Sequence, residues 1–254
     1  MPYTEVKGEQ YFYSGNTQKE GLPLLFIHGS GGTHRHWLYQ LKDLGGKINP
    51  LALDLPGHGR SAGTPSDNVA VYRDWVHEFA SSLGLANFVL AGHSLGGAIV
   101  MDYALHYPGN LAGLILVGTG GRLRVAPAIL ESFRAGKPPA GMTDFAYGPQ
   151  ASAELLAQAR LETESVAADI FLADFTACDR FDRLEQVSQI TLPTLIICGT
   201  VDRLTPAKYS RYLEQLLPQG EMVEVEEAGH MVMLEAPNVL NRAVTLFMEK
   251  LARG

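Results

Sequence analysis

The sequence is poor in cysteine, with only Cys178 and Cys198 among its 254 residues. Two cysteines make neither a disulfide framework nor a cysteine-rich metal site, so both classes of protein are excluded. Cys198 lies in the apolar run 193–198, which predicts a buried strand residue. Cys178 is left open as a free thiol or a packed residue. A cysteine–histidine enzyme is disfavoured because neither cysteine lies in a turn that would expose a nucleophile.

The sequence also lacks an excess of basic residues, since 20 Lys and Arg oppose 27 Asp and Glu for a net charge of -7. A nucleic-acid surface needs a basic patch, so no nucleic-acid partner is expected. No run reaches the ~18 apolar residues of a membrane-spanning helix, so no membrane partner is expected either. Residues 1–13 lack the basic start and apolar stretch of a signal peptide, which favours a cytoplasmic location.

Short apolar runs alternate with helical patterns, which predicts βα units and a parallel sheet. The predicted strands are 22–27, 49–53, 88–91, 111–117, 194–198 and 222–225, preceded by an edge hairpin of 3–7 and 10–14. The predicted helices are 69–83, 95–107, 206–217 and 237–251. Near-continuous apolar character in the strands is typical of a sheet that is covered on both faces.

One long stretch, from 120 to 190, interrupts this alternation because it contains no convincing strand. Residues 151–177 are rich in Ala, Leu and Glu and predict a single helix, whereas 137–139 predict a loop. The sequence therefore predicts a core formed by 1–120 and 191–254, with a helical insertion at 121–190.

A nucleophile motif, Gly-His-Ser-Leu-Gly, lies at 92–96. It follows a predicted strand and begins a predicted helix, which is the context that the G-x-S-x-G turn requires. Ser94 must stand at the tip of a sharp turn where strand and helix crowd together. Gly92 and Gly96 remove the side chains that would clash there. The pattern predicts that Ser94 is a nucleophile.

A serine hydroxyl needs an adjacent base, and the chain has eight histidines. His230 is the candidate because it follows the last predicted strand, where sites in parallel sheets are built. The imidazole needs a carboxylate to hold its tautomer, and Asp202 follows the predicted strand 194–198. The competing segment 111–130 contains no Asp or Glu. These positions predict a Ser94–His230–Asp202 triad in the chain order Ser, Asp, His.

Acyl chemistry also needs hydrogen-bond donors for an oxyanion. The glycine-rich turn 28–32 follows the first parallel strand and leaves backbone N–H groups unblocked. The predicted donors are the N–H groups of Ser30 and of Leu95, the residue after the nucleophile. A second glycine-rich turn, 54–61, is given a structural role in which Asp54 binds nearby backbone groups.

The residues that carry a family resemblance are the turns at 28–32 and 54–61, the elbow at Ser94, Asp202 and His230. In this order, and over almost the whole chain, they resemble the α/β-hydrolase superfamily. The resemblance implies an α/β-hydrolase fold, with a mostly parallel eight-stranded sheet, helices on both faces and a helical cap inserted after strand 6. The chain looks most like cap-bearing serine carboxylesterases, C–C bond hydrolases and enol-lactonases. A serine at 94 speaks against epoxide hydrolases and haloalkane dehalogenases, which typically use aspartate there.

The resemblance implies acyl transfer through an acyl-enzyme, with a small-molecule ester as substrate and no metal or organic cofactor. The pocket is expected between sheet and cap. Its candidate substrate-binding residues are Met231, Arg122, Phe133, Phe145 and Phe171.

Three functions remain open at this point. The first is a carboxylesterase for small or medium acyl esters. The second is a C–C hydrolase or enol-lactonase for an acidic ring-cleavage product, which would need a cationic pocket built on Arg122 or a cap arginine such as Arg180. The third is a ligand-sensing protein that turns over slowly. The oligomeric state is left open between monomer and homodimer.

Overall fold

Strands and helices alternate along the chain, and the computed structural model describes residues 2–46 and 48–253. The strands are β1 (Tyr3–Val6), β2 (Glu9–Ser14), β3 (Leu22–Ile27), β4 (Ile48–Leu53), β5 (Phe88–His93), β6 (Leu111–Val117), β7 (Thr194–Gly199) and β8 (Gly220–Val225). The helices are α1 (Leu38–Asp43), α2 (Val69–Ser82), α3 (Leu95–His106), α4 (Pro127–Arg134), α5 (Met142–Ala146), α6 (Ala153–Ser165), α7 (Ala168–Arg180), α8 (Ala207–Leu216), α9 (Val232–Glu235) and α10 (Pro237–Leu251). Met1, Lys47 and Gly254 of the predicted core lie outside the described residues.

The strands form one eight-stranded sheet in the order β1-β2-β4-β3-β5-β6-β7-β8. The opening hairpin is antiparallel and joins the edge of β4, whereas every pairing from β4 to β8 is parallel. The predicted fold class, a mostly parallel eight-stranded α/β sheet, is confirmed. The central position of β3 and β5 brings the turns that follow them to the same edge of the sheet, as expected where parallel strands end.

The sheet is covered on both faces, and the alternation of side chains in β3 shows how. Leu25 and Ile27 join a buried cluster with the apolar sides of α2 and α3. Leu24 and Phe26 point the other way into a second cluster with α9 and α10. Because both faces are buried at the central strands, an apolar side chain there adds stability, at roughly 25 cal/mol per Å² of apolar surface removed from water.

The segment between β6 and β7, which we call the cap, carries helices α4 to α7. Its two ends meet in a short antiparallel contact in which Arg122 bridges Asp182. The N–H of Arg183 donates to Gly121 O at 2.8 Å, and the N–H of Leu123 donates to Phe181 O at 3.3 Å. The cap therefore leaves and rejoins the core through adjacent backbone segments.

The prediction of one helix over 151–177 is wrong, because the structure has two helices there, α6 and α7. Val166 and Ala167 between them have extended backbone angles. Ser165 also bonds back to the carbonyl of Glu162 at 2.7 Å, a local contact that competes with helix continuation. Helices α4 and α5 were not anticipated. The break at 166–167 lets α7 turn back across the carboxyl edge of the sheet.

In the two described stretches, 2–46 and 48–253, no helix is both long enough and apolar enough to cross a membrane. The cytoplasmic location is untested and stays a prediction.

Candidate active site

The predicted nucleophile lies in a sharp turn between β5 and α3. Ser94 has φ 53° and ψ -114°, an unfavourable region for a residue with a side chain. A Cβ on Gly92 would overlap the backbone of Gly96, and a Cβ on Gly96 would overlap the carbonyl of Ile27. The turn is held from outside, since the N–H of Ser94 donates to Val117 O at 2.9 Å and Thr119 Oγ1 donates to Ser94 O at 2.8 Å. Neighbouring strands therefore hold Ser94 in this conformation.

The predicted base and acid are in direct contact. His230 Nδ1 lies 2.8 Å from Asp202 Oδ2, and both side chains are buried. Burial alone would raise the pKa of Asp202. The charge and hydrogen bond of His230, with hydrogen bonds from Thr205, outweigh burial and hold that pKa at about 2. Asp202 is therefore ionised at neutral pH and fixes the imidazole with Nδ1 toward the carboxylate, while Nε2 has no hydrogen-bond partner among the described residues.

Ser94 and His230 line the same cavity. Among the described residues, the Ser94 hydroxyl has no hydrogen-bond partner within 3.5 Å, so its contact with His230 is not closed in this structure. Nucleophile–base contacts in ligand-free enzymes are often long and tighten when substrate binds. The structure thus brings His230 and Asp202 into contact and places Ser94 in the same cavity, and the catalytic role of the three residues stays a prediction.

The two predicted oxyanion donors belong to Leu95, next to Ser94 in the chain, and to the turn at 28–32, which packs against the elbow. Leu95 is the first residue of α3, so its N–H has no acceptor one turn earlier in the helix. The turn at 28–32 lies against the elbow, because a Cβ on Gly29 would stand 3.2 Å from Ser94 Cβ. Ser30 lines the cavity, and its N–H has no acceptor among the described residues. Their role as oxyanion donors, which requires both N–H groups to face a reacting carbonyl oxygen, stays a prediction.

The cavity between sheet and cap has a volume of about 350 Å³. Three of the predicted substrate-binding residues, Phe145, Phe171 and Met231, lie in its wall. Residues that the sequence did not point to also line it, among them His36, Ile129, Glu162 and Arg203. These positions come from distant segments that only the folded cap brings together, so no local pattern marks them.

Two of the predicted substrate-binding residues are corrected by the structure, because neither lines the cavity. Arg122 pairs with Asp182, with Nε 2.6 Å from the carboxylate, at the base of the cap. Phe133 stacks behind Phe171 and Phe175, with ring centroids at 5.1 and 5.4 Å, and supports the wall from outside. Arg180, offered as an alternative cation, pairs with Asp67 on the surface.

The loop that carries the predicted base is hydrogen-bonded to the cap, which no sequence pattern indicates. The N–H of His230 donates to the cap carbonyl of Ala146 at 2.8 Å. The carboxylate of Glu235 accepts the N–H groups of Gly148 in the cap and of Gly229 and Met231 in the histidine loop. Cap and base are therefore held in one hydrogen-bonded unit.

The turn at 54–61 has the structural role that was expected of it. Asp54 accepts the N–H groups of His34 at 2.6 Å and Arg60 at 3.0 Å, as well as His34 Nδ1 at 2.8 Å. Within the part of the chain that the structure describes, no group of three or more His, Cys, Asp or Glu side chains is arranged to hold a metal ion.

Two fully buried histidines near the site predict acid sensitivity. Burial, together with the charge of neighbouring histidines, lowers the pKa of His28 and His93 well below 6.5. Below about pH 6.5 the unfolded chain binds protons at these positions and the folded chain does not. We expect the free energy of unfolding to fall with pH, by about 1.4 kcal/mol per pH unit for each histidine. Urea denaturation at pH 7.0, 6.0 and 5.0 measures this slope, and a constant free energy of unfolding would contradict it.

Comparison with known proteins gives matches along almost the whole chain. A model described as the alpha/beta hydrolase family matches residues 24–243. Lipase 1 of Psychrobacter immobilis is 29% identical over 258 residues, covering 92% of this chain and 78% of that protein. The (E)-2-((N-methylformamido)methylene)succinate hydrolase of Acinetobacter baylyi is 28% identical, with 91% and 92% covered. The structure of a thermophilic esterase has a TM-score of 0.85 at 33% identity, with 98% of this chain and 97% of that chain covered.

Proposed function

Because the chain belongs to the alpha/beta hydrolase family, we propose that it is a serine hydrolase that cleaves carboxylic esters through Ser94, His230 and Asp202. The observation that carries the proposal is the buried His230–Asp202 pair at 2.8 Å, which shares a cavity with a serine held in a strained turn. Lipases and an esterase among the similar proteins support the same class of substrate.

The proposed reaction is acyl transfer in two steps. His230 Nε2 takes the proton of the Ser94 hydroxyl as the oxygen attacks the ester carbonyl, and the oxyanion binds to the N–H groups of Ser30 and Leu95. The imidazolium then protonates the leaving alcohol, and an acyl-enzyme remains on Ser94. Water, deprotonated by the same imidazole, releases the acid and restores the serine. Asp202 stays ionised throughout and stabilises the imidazolium.

The cavity argues for small or medium uncharged esters. A volume of about 350 Å³ is at the lower end of the range for small-molecule sites, so it suits short chains better than long ones. The wall includes the aromatic rings of Phe145, Tyr147, Phe171 and Phe175 together with aliphatic side chains such as Val125 and Ile129. The cap closes over this space, so a long acyl chain would have to leave the cavity through its mouth.

A second candidate function is hydrolysis of an acidic substrate, such as a ring-cleavage product. One observation favours it: the cavity wall contains Arg124 and Arg203, rather than the predicted Arg122 or Arg180. Both guanidinium groups already donate to backbone carbonyls, Arg124 to Asp179 and Arg203 to Asp144. These contacts leave fewer N–H groups to bind a substrate carboxylate. The uncharged ester is therefore the better-supported substrate.

The proposal is tested with p-nitrophenyl acetate, butyrate, octanoate and palmitate. We expect kcat/KM to be highest at butyrate or octanoate and at least tenfold lower at palmitate, because the cavity limits chain length. A fluorophosphonate probe is expected to label one residue, Ser94, identified by peptide mass spectrometry. If Ser94 is not labelled, its assignment as the nucleophile is contradicted. A single burst of p-nitrophenol with no further release would favour the slow ligand-sensing protein. Turnover restricted to acidic substrates would favour the second candidate.

A further inference from the structure

One face of cap helix α7 lies directly on the turn that carries the proposed oxyanion donor. Phe171, Asp174 and Cys178 are spaced at i, i+3 and i+7 and therefore share that face. The ring of Phe171 occupies the space that a Cβ on Gly31 would need. Cys178 Sγ lies 3.7 Å from Ser30 Oγ. Ser30 and Gly31 of the turn are thus in direct contact with the cap.

Asp174 makes the polar contact within this face, and it is fully buried. Its Oδ2 accepts the backbone N–H of Gly31 at 2.8 Å and His58 Nε2 at 2.9 Å. Its Oδ1 accepts the hydroxyl of Tyr72 at 2.7 Å. A buried carboxylate is costly unless it is fully hydrogen-bonded and paired with a charge. All three contacts come from the core, so this cap residue fits a site that the core has prepared for it.

His58 supplies the opposite charge. Its Nδ1 lies 3.0 Å from Pro56 O, and its Nε2 faces Asp174; both partners accept, so both ring nitrogens donate. Burial would lower the pKa of His58, but the hydrogen bond and charge of Asp174 raise it above its usual value. The turn at 54–61, the oxyanion turn and the cap therefore meet at one buried ion pair. Neither the proposed proton transfer nor substrate contact uses this pair.

We propose that Asp174 is a positioning residue for oxyanion stabilisation: its carboxylate anchors the N–H of Gly31 and thereby orients the adjacent N–H of Ser30 toward the reacting carbonyl. This inference rests on the proposed function, since it assigns a role within the same site. The peptide unit before Gly31 carries its N–H to Asp174, so rotation of that unit would also turn the Ser30 backbone. With the anchor in place, the Ser30 donor needs no reorientation when negative charge develops on the substrate.

The test compares Asp174→Ala and Asp174→Asn with a matched control, Asp102→Asn. Asp102 is also fully buried and pairs with Arg73 and Arg183, but it lies outside the cavity and outside the oxyanion turn. With p-nitrophenyl butyrate, we expect Asp174→Ala to lower kcat at least tenfold and to change KM less than threefold. Asp174→Asn keeps an oxygen that can accept from Gly31, so a smaller loss of kcat is expected. Asp102→Asn is expected to lower the melting temperature without lowering kcat of the folded protein.

Hydrogen–deuterium exchange of peptides spanning 28–33 provides a readout that does not need turnover. Faster exchange in this segment for Asp174→Ala, but not for Asp102→Asn, supports the anchor. Unchanged exchange in the Asp174 variants, or equal kcat losses in the Asp174 and Asp102 variants, would overturn it. Asp174→Asn, which is nearly isosteric, keeps the comparison possible if the alanine variant does not fold. If the wild type cleaves no ester, the proposed function fails, and the exchange comparison alone decides on Asp174.

Discussion

Replacement of Ser94 by alanine is expected to lower kcat/KM for p-nitrophenyl butyrate by at least about 10⁴-fold while the fold is retained. Removal of the hydroxyl eliminates the atom proposed to attack the ester carbonyl, so no acyl-enzyme can form. The bonds that hold the elbow use backbone atoms of Ser94, which alanine keeps. We therefore expect the melting temperature to change by less than about 3 °C, which differential scanning fluorimetry measures.

The matched control for this variant is Ser210→Ala. Ser210 is fully buried in α8 but does not line the cavity. The Ser210 variant loses the same hydroxyl group, but at a position outside the proposed site. Its kcat/KM is therefore expected to stay within threefold of the wild type. Wild-type-like hydrolysis by the Ser94 variant would remove Ser94 from the mechanism and would leave the second-candidate chemistry without a nucleophile as well.

The parts of this protein that the sequence predicts are those with local signals. The central parallel strands are short apolar runs, because both faces of the sheet are buried there and most positions favour an apolar residue. The elbow is marked by Gly92 and Gly96, since a Cβ at either position would overlap backbone atoms. Asp202 and His230 were placed by their positions after strands, and the structure brings them within 2.8 Å. In these cases a few residues that are neighbours in the sequence are enough to predict the local structure.

The cap could not be predicted in the same way, because its structure depends on contacts between distant residues. Arg122 was expected to meet a substrate, but its partner Asp182 is 60 residues away along the chain. Phe133 was expected in the wall, but stacking on Phe171 places it behind that wall. The contact between Asp174 and Gly31 joins residues 143 positions apart, and no pattern near Asp174 in the sequence predicts it. Side chains of this kind acquire their roles only after the cap has closed on the core.

The second large effect is expected for Asp202→Asn. Asp202 accepts His230 Nδ1 at 2.8 Å, Thr205 Oγ1 at 2.8 Å and the N–H groups of Leu204 and Thr205 at 2.8 and 2.9 Å. An asparagine can keep the backbone contacts through its oxygen, but its NH₂ group then faces His230. The imidazole must accept that hydrogen bond at Nδ1 and carry its own proton on Nε2, so it cannot take the proton of Ser94.

We therefore expect Asp202→Asn to lower kcat at neutral pH by about 10⁴-fold, with little change in KM, as measured by steady-state kinetics with p-nitrophenyl butyrate. Because the pKa of Asp202 is about 2, the wild-type carboxylate stays ionised from pH 5 to 8 and adds no step to the pH–rate profile in that range. The same substitution at Asp102 controls for loss of a buried charge. A fall in kcat of less than tenfold would mean that another group orients His230. Glu235, whose half-buried carboxylate accepts backbone N–H groups on both sides of that histidine, would then be the residue to replace next.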